Sequence, residues 1–94
     1  MVVAVVIKDK ERQYEGLRIC IAGLLDGLDM MMFVLEHEID SMDEAYTDNI
    51  DFMDEMGGKR FSNNSANVEK HGFTHATLKE TASMLRDADL VIPF

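Results

Sequence analysis

From Met1 to Lys8 the chain reads Met-Val-Val-Ala-Val-Val-Ile-Lys, with no polar side chain before the lysine. A strand with one wet face alternates apolar and polar residues. An unbroken, mostly β-branched run instead suits a strand covered on both faces, as in a parallel sheet. The run therefore predicts a buried strand placed centrally in its sheet, and the remaining residues must supply helices for both faces.

The pattern downstream meets that demand. From Glu11 the period changes, and Tyr14, Leu17, Ile21, Leu24, Leu25 and Leu28 fall on one helical stripe ended by Gly27. Gly16 and Gly23, one heptad apart, would let this helix approach a neighbour closely. Met30 to Leu35 forms a second apolar run. Ser41 and Glu44 are spaced as a capping box, and Ile50, Met53 and Met56 recur at helical spacing before Gly57 and Gly58, which predicts one or two short helices. Lys59 to Ser62 reads as a third strand. The turn-forming Ser62-Asn63-Asn64-Ser65 follows, then a brief helical turn over 65–70 stopped by Gly72. Phe73 to Ala76 is a weak fourth strand. Thr77 and Glu80 form another capping box before Leu78, Ala82, Leu85 and Ala88, and Leu90 to Phe94 is the last strand. Alternating strands and helices predict right-handed βαβ units. The expected fold is a single α/β domain over residues 1–94, a three-layer α/β/α sandwich of flavodoxin-like type with a five-stranded parallel sheet.

With 94 residues there is room for one core, and self-association is a natural way to add buried surface. No apolar run approaches the roughly 18 residues of a membrane span, and the start lacks the features of a signal peptide, so no membrane contact and a cytoplasmic location are expected. The lone cysteine, Cys20, allows neither an internal disulfide nor a multi-cysteine zinc site. It sits mid-helix beside the apolar stripe, where a thiol is structural and unreactive. The eight methionines read as pliable core filling.

The net charge of −9 has one source. Glu36, Glu38, Asp40, Asp43, Glu44, Asp48, Asp51, Asp54 and Glu55 contain no Lys or Arg among them, and the other nine acids balance the nine bases. Such a surface repels phosphate backbones, so no nucleic-acid partner is expected. The segment 36–55 reads first as a solvated helical face and second as a docking surface for a basic protein.

In an open parallel sheet, ligands bind beyond the carboxyl ends of the strands. That rule selects Lys8 and Asp9, Glu36 and His37, Ser62 to Ser65, His75 and Thr77, and Pro93-Phe94. Asn63, Asn64 and Ser65 could offer amides and a hydroxyl to an anion, or form an ordinary Asx turn. His37 and His75, with Asp9 and Glu36, could be imagined as a metal or acid–base cluster, but their spacing is not diagnostic and loop histidines are the expectation. No glycine-rich phosphate loop, nucleophilic triad or calcium loop is present, and no cofactor or metal is expected.

Several of these pieces, taken in order, resemble the DsrE/DsrF-like (DsrEFH-like) proteins of sulfur relay. They are the first strand with Lys8, Asp9 and then Tyr14-Glu15-Gly16-Leu17-Arg18; the second strand ending Phe33-Val34-Leu35; Gly57-Gly58-Lys59 before the third; and the closing Ala88-Asp89-Leu90-Val91-Ile92. The resemblance runs nearly end to end. It implies a five-stranded parallel sheet between helices, assembly as a homo-oligomer (a trimer or hexamer) or a hetero-oligomer, and a persulfide-carrying cysteine in the loop after the third strand. Counted from Gly57-Gly58-Lys59, that position holds Asn63, and a second frequent cysteine is replaced by about Ala66. An amide cannot form a persulfide, which requires a thiolate. The expectation is a non-catalytic or divergent binding or assembly subunit related to sulfur trafficking, with Lys8, Asp9, His37, Asn63, Asn64, Ser65 and His75 as its rim. The alternative is a small-ligand protein or enzyme taking a phosphate, nucleotide or metal at that rim through His37, Asn63 and His75.

Overall fold

The computed structural model describes residues 1–39 and 43–94. Strand β1 spans Val2–Ile7, a 3-10 turn covers Lys10–Arg12, and α1 runs Gln13–Leu25. There follow β2 (Asp29–Val34), α2 (Glu44–Glu55), β3 (Lys59–Ser62), α3 (Ser65–His71), β4 (Thr74–His75), α4 (Leu78–Asp87) and β5 (Leu90–Pro93). The five strands form one all-parallel sheet in the order β4-β3-β2-β1-β5.

β1 is hydrogen-bonded on both edges, with Val3 opposite both Met30 and Leu90. Val3, Val5 and Ile7 are buried on one face while Ala4 and Val6 are buried on the other, so the unbroken apolar run is a strand dry on both sides. The middle position belongs to β2, one place from where the sequence pattern put β1, because β5 alone returns to the far edge. The two faces are unequal. Leu17, Cys20 and Leu24 of α1, Tyr46, Ile50 and Met53 of α2, and Val68 of α3 cover the first. Met84 and Leu85 of α4, with Ala88, cover the second.

The buried stripe of α1 differs from the expected one. Gln13, Gly16, Leu17, Cys20, Gly23 and Leu24 face inward, whereas Tyr14 and Leu25 are exposed. The glycines cause this rotation, because without side chains they let the helix backbone lie against the sheet. A Cβ on Gly16 would overlap Ile7, 2.6 Å from its Cγ1, and one on Gly23 would overlap Met30, 2.9 Å from its Cε.

Helix ends follow local chemistry. Gly27 and Gly72 take left-handed φ values of 80° and 70°. Thr77 and Glu80 make a reciprocal capping box at the head of α4, which holds the exposed Glu80 carboxyl below its usual range. The cap expected at Ser41 falls outside the described residues. Asp43 is the N-cap of α2, its side chain accepting from Tyr46 N. Along α2 the acids Glu44, Asp48, Asp51 and Glu55 point to solvent, opposite Tyr46, Ile50 and Met53.

The two glycine contacts differ in how they can relax. Gly16→Ala meets a branched, fully buried Ile7, and overpacking of about 2 kcal/mol exceeds a helix-propensity gain of about 1 kcal/mol. We expect a net loss of about 1 kcal/mol. Gly23→Ala meets a thioether that can rotate aside and should be about neutral. Urea unfolding of both variants measures the difference, and a stabilised Gly16→Ala would contradict the close-approach account.

Candidate functional site

Right-handed crossovers bring the N-termini of α1 and α2 to the carboxyl edge of the sheet, side by side on one face. Asp9 caps the 3-10 turn by accepting from Glu11 N, and the turn delivers Gln13, the first residue of α1, to the exit of β1. Tyr46 lies in the first turn of α2. The loop after β2 carries His37 between them. Together with Lys10, Glu11, Tyr14, Ile39 and Asp43 these side chains line an open cleft of about 340 Å³.

The base of this cleft is a buried polar chain. His37 Nδ1 lies 3.1 Å from the Leu35 carbonyl and Nε2 lies 3.0 Å from Gln13 Oε1. The Gln13 amide nitrogen in turn donates to the Tyr46 hydroxyl. Gln13 is 8% and Tyr46 5% exposed. The Tyr14 and Tyr46 rings meet at 5.9 Å and 59°, and the Tyr14 hydroxyl accepts from Asn49. Burial pushes the Tyr46 phenol up to about 12 against the lowering effect of the Gln13 bond, so Tyr46 acts as a neutral donor or acceptor.

Residues 35–39 of the loop holding His37 are each tethered. Leu35 N donates to Ile7 O, and Glu36, at a left-handed φ of 68°, donates its N–H to Asn63 Oδ1 at 2.8 Å. Asn67, wholly buried, donates to the His37 carbonyl at 2.9 Å and accepts from Ile39 N at 2.8 Å. Asn67 also donates to Ser62 Oγ, which donates to Val34 O. The His71 ring nitrogen donates to Ile39 O, and Lys70 pairs with Glu38. Residues 35–39 are thus bound to α3 and β3 by side chains that do not line the cleft.

Of the seven rim residues read from the sequence, His37 alone lines the cleft. Asn63 is a buttress for Glu36, and Asn64 is the N-cap of α3, accepting from Ala66 and Asn67, so the Asx-turn reading of this segment holds. Ser65 begins α3 and is exposed, as is His75 in β4. Lys8 and Asp9 are exposed, and their N–H groups both donate to Phe94 O. The Arg12 guanidinium stacks 4.8 Å from the Phe94 ring. The chain's own groups therefore occupy the exits of β1 and β5, where the strand order reverses. Among the described residues no three of His, Cys, Asp and Glu converge as metal ligands, and the imagined grouping of Asp9, Glu36, His37 and His75 does not form.

Sequence reasoning missed Gln13, Tyr46 and Asn67, and it selected Ser62 with the stretch after β3 without its link between Asn67 and Val34. The available signal was a long polar side chain at position 13, where the glycines at 16 and 23 set the inward face. Cys20 is sealed in the core, and burial pushes its thiol up to about 12, so no thiolate is available at neutral pH.

Removing the Asn67 side chain takes away the partner of Ile39 N–H and of the His37 carbonyl, while Ser62 Oγ keeps Val34 O and Asn64 N. Asn67→Ala should cost about 3 kcal/mol in unfolding free energy and accelerate hydrogen exchange at the Ile39 amide. Exchange there at the wild-type rate would refute the clamp.

Cys20 and Tyr46 also set an alkaline limit. Both titrate higher folded than unfolded, so their contribution is complete below pH 9 and is lost as the unfolded chain ionises between about pH 9 and 12. At pH 10.5 Cys20 alone should cost about 2 kcal/mol, and Cys20→Ala should flatten this part of the stability profile.

No known family's model matches the sequence, and no curated protein matches it. Among solved structures, a conserved protein of unknown function from Bacteroides thetaiotaomicron superposes with a TM-score of 0.69 at 8% identity, covering 99% of this chain and 94% of that one. What the two share is a compact α/β fold over their whole lengths.

Proposed function

We propose that this chain is a non-catalytic, ligand-binding protein of DsrE/DsrF-like type, whose site is the cleft based on Gln13, His37 and Tyr46. The observation that carries the reading is the pairing of a sealed thiol with a preorganised polar chain at the sheet's carboxyl edge. Transfer of sulfane sulfur needs an accessible thiolate. Binding needs concavity, an apolar wall and a few fixed polar groups, and Ile39, the two tyrosines and the buried chain supply them. A related binding role in sulfur trafficking accords with the order of the sequence pieces and with Asn63 serving as a loop buttress.

The cleft favours a small neutral or cationic molecule with one aromatic ring and one polar handle. On its wall the acids Glu11 and Asp43 outnumber the one base, Lys10, a balance that disfavours a phosphate or nucleotide. Two measurements test the reading. Intact mass after exposure of the folded protein to a persulfide donor should show no gain of sulfur, and an adduct at Cys20 would defeat the non-catalytic assignment. A thermal-shift screen should show that a ring-bearing ligand at ten times its Kd raises Tm by about 5–10 °C. Stabilisation by nucleotides or metal ions, with none by such rings, would favour the alternative.

A second reading concerns assembly. Among the described residues the outer edge of β5 is unpaired, and Leu90 and Val91 on it are 45% and 39% exposed. Pairing with β5 of a second copy would bury that edge. Native mass should give an oligomer that Val91→Lys dissociates. Among the described residues no helix is long and apolar enough to cross a membrane.

A further inference from the structure

We propose that His37, Gln13 and Tyr46 form a proton-coupled relay that reverses the hydrogen-bonding polarity of the Tyr46 hydroxyl, so that the cleft takes an acceptor group when His37 is an imidazolium and a donor group when it is neutral. The recognition half rests on the cleft being a ligand site. The relay itself is a property of the free protein.

The Leu35 carbonyl can only accept, so His37 Nδ1 carries a hydrogen in either state. Nε2 faces Gln13 Oε1, also an acceptor, so with the amide turned this way the contact needs a hydrogen on Nε2 as well. Gln13 then spends its amide N–H on the Tyr46 oxygen, and the phenolic proton is left for the cleft that Tyr46 lines. Loss of the Nε2 proton to solvent sets two lone pairs against each other. Turning the Gln13 amide by half a revolution restores both contacts. Its NH2 group now donates to Nε2, and its oxygen accepts the Tyr46 proton. Tyr46 then presents only lone pairs to the cleft. Each state keeps two bonds along the chain, and the backbone need not move.

Burial of Gln13 and Tyr46 makes this exchange stringent, because a mismatched pair there has little access to water. Among the described residues, charged and titratable groups face the relay from every element packed against it. They are Lys10 and Glu11 on the turn after β1, Tyr14 on α1, Asp43 heading α2, and Glu36 and Glu38 beside His37, with Glu38 tied to Lys70 of α3. Arg60 of β3 and Cys20 of α1 act on Tyr46, and His71 holds the Ile39 carbonyl. These groups set where the equilibrium lies. The reversal of polarity comes from the donors and acceptors themselves.

A pH titration of the full chain by NMR tests the relay, following the His37 ring nitrogens, the Gln13 side-chain NH2 and the Tyr46 ring carbon bearing oxygen, with His71 tracked by its own resonances. The three should move with one midpoint, and scalar coupling between the Gln13 amide nitrogen and His37 Nε2 should appear on the high-pH side. In Gln13→Leu, His37 should still titrate while Tyr46 ceases to follow it. Static Gln13 resonances across the midpoint overturn the relay. So does Tyr46 following His37 unchanged in Gln13→Leu, since that response is purely through space. If the variant fails to fold, the wild-type Gln13 resonances decide alone.

Two neutral probes test recognition: acetophenone, which only accepts, and indole, which only donates. The ratio of their affinities should fall about fivefold from the low-pH to the high-pH side. An unchanged ratio overturns the recognition half. Binding of neither probe withdraws this half and the cleft's ligand role together, while the ligand-free titration still decides the relay.

Discussion

Everything in this fold serves to keep β1 dry. The strand is hydrogen-bonded to β2 on one side and β5 on the other, and its side chains are buried on both faces. A parallel sheet of this kind exists only if helices close both surfaces, and each crossover carries its helix back over the sheet with its N-terminus at the carboxyl edge. Gly16 and Gly23 let α1 sit close enough to seal one face. The same approach turns Gln13 inward at the exit of β1. A packing requirement in the core thus places a polar side chain where a ligand site can form.

Around that position the loop after β2 is held by hydrogen bonds from neighbouring elements. Asn67 and Ser62 join the loop after β2 to β3 and α3 through buried hydrogen bonds, and Asn63 holds Glu36 in its left-handed conformation. Fixed groups in a half-buried setting lose little freedom when a ligand arrives. His37, Gln13 and Tyr46 are held by different elements, so their mutual geometry reports the packing of α1 against α2. Asn63, which follows β3, supports the neighbouring loop after β2 by accepting from Glu36 N.

Much of the fold was legible locally. The run from Met1 to Lys8, the glycine stops at Gly27 and Gly72 and the Thr77–Glu80 capping box depend on residues within a few positions of one another, and each appears as the pattern predicts. The failures have a common origin. The stripe expected through Tyr14 and Leu25 counted hydrophobic side chains, whereas the glycines decide which face of α1 meets the sheet. The rim residues were selected by their position after strands. That rule found His37, but it could not show that Asn63 and Asn64 spend their side chains on the backbone.

The sequence by itself determined the order of strands and helices, the glycine stops after α1 and α3, the capping box of α4, the lone cysteine's place in the middle of α1 and the acidic outer face of α2. These follow from periodicity and from interactions inside one turn or one strand. Tertiary structure alone decided which polar groups meet. Gln13 reaches His37 across 24 positions and Tyr46 across 33. Such encounters depend on the rotation of α1 and on how the crossovers lay α1 beside α2. Hydrophobic pattern constrains those quantities only through the summed packing of the whole core.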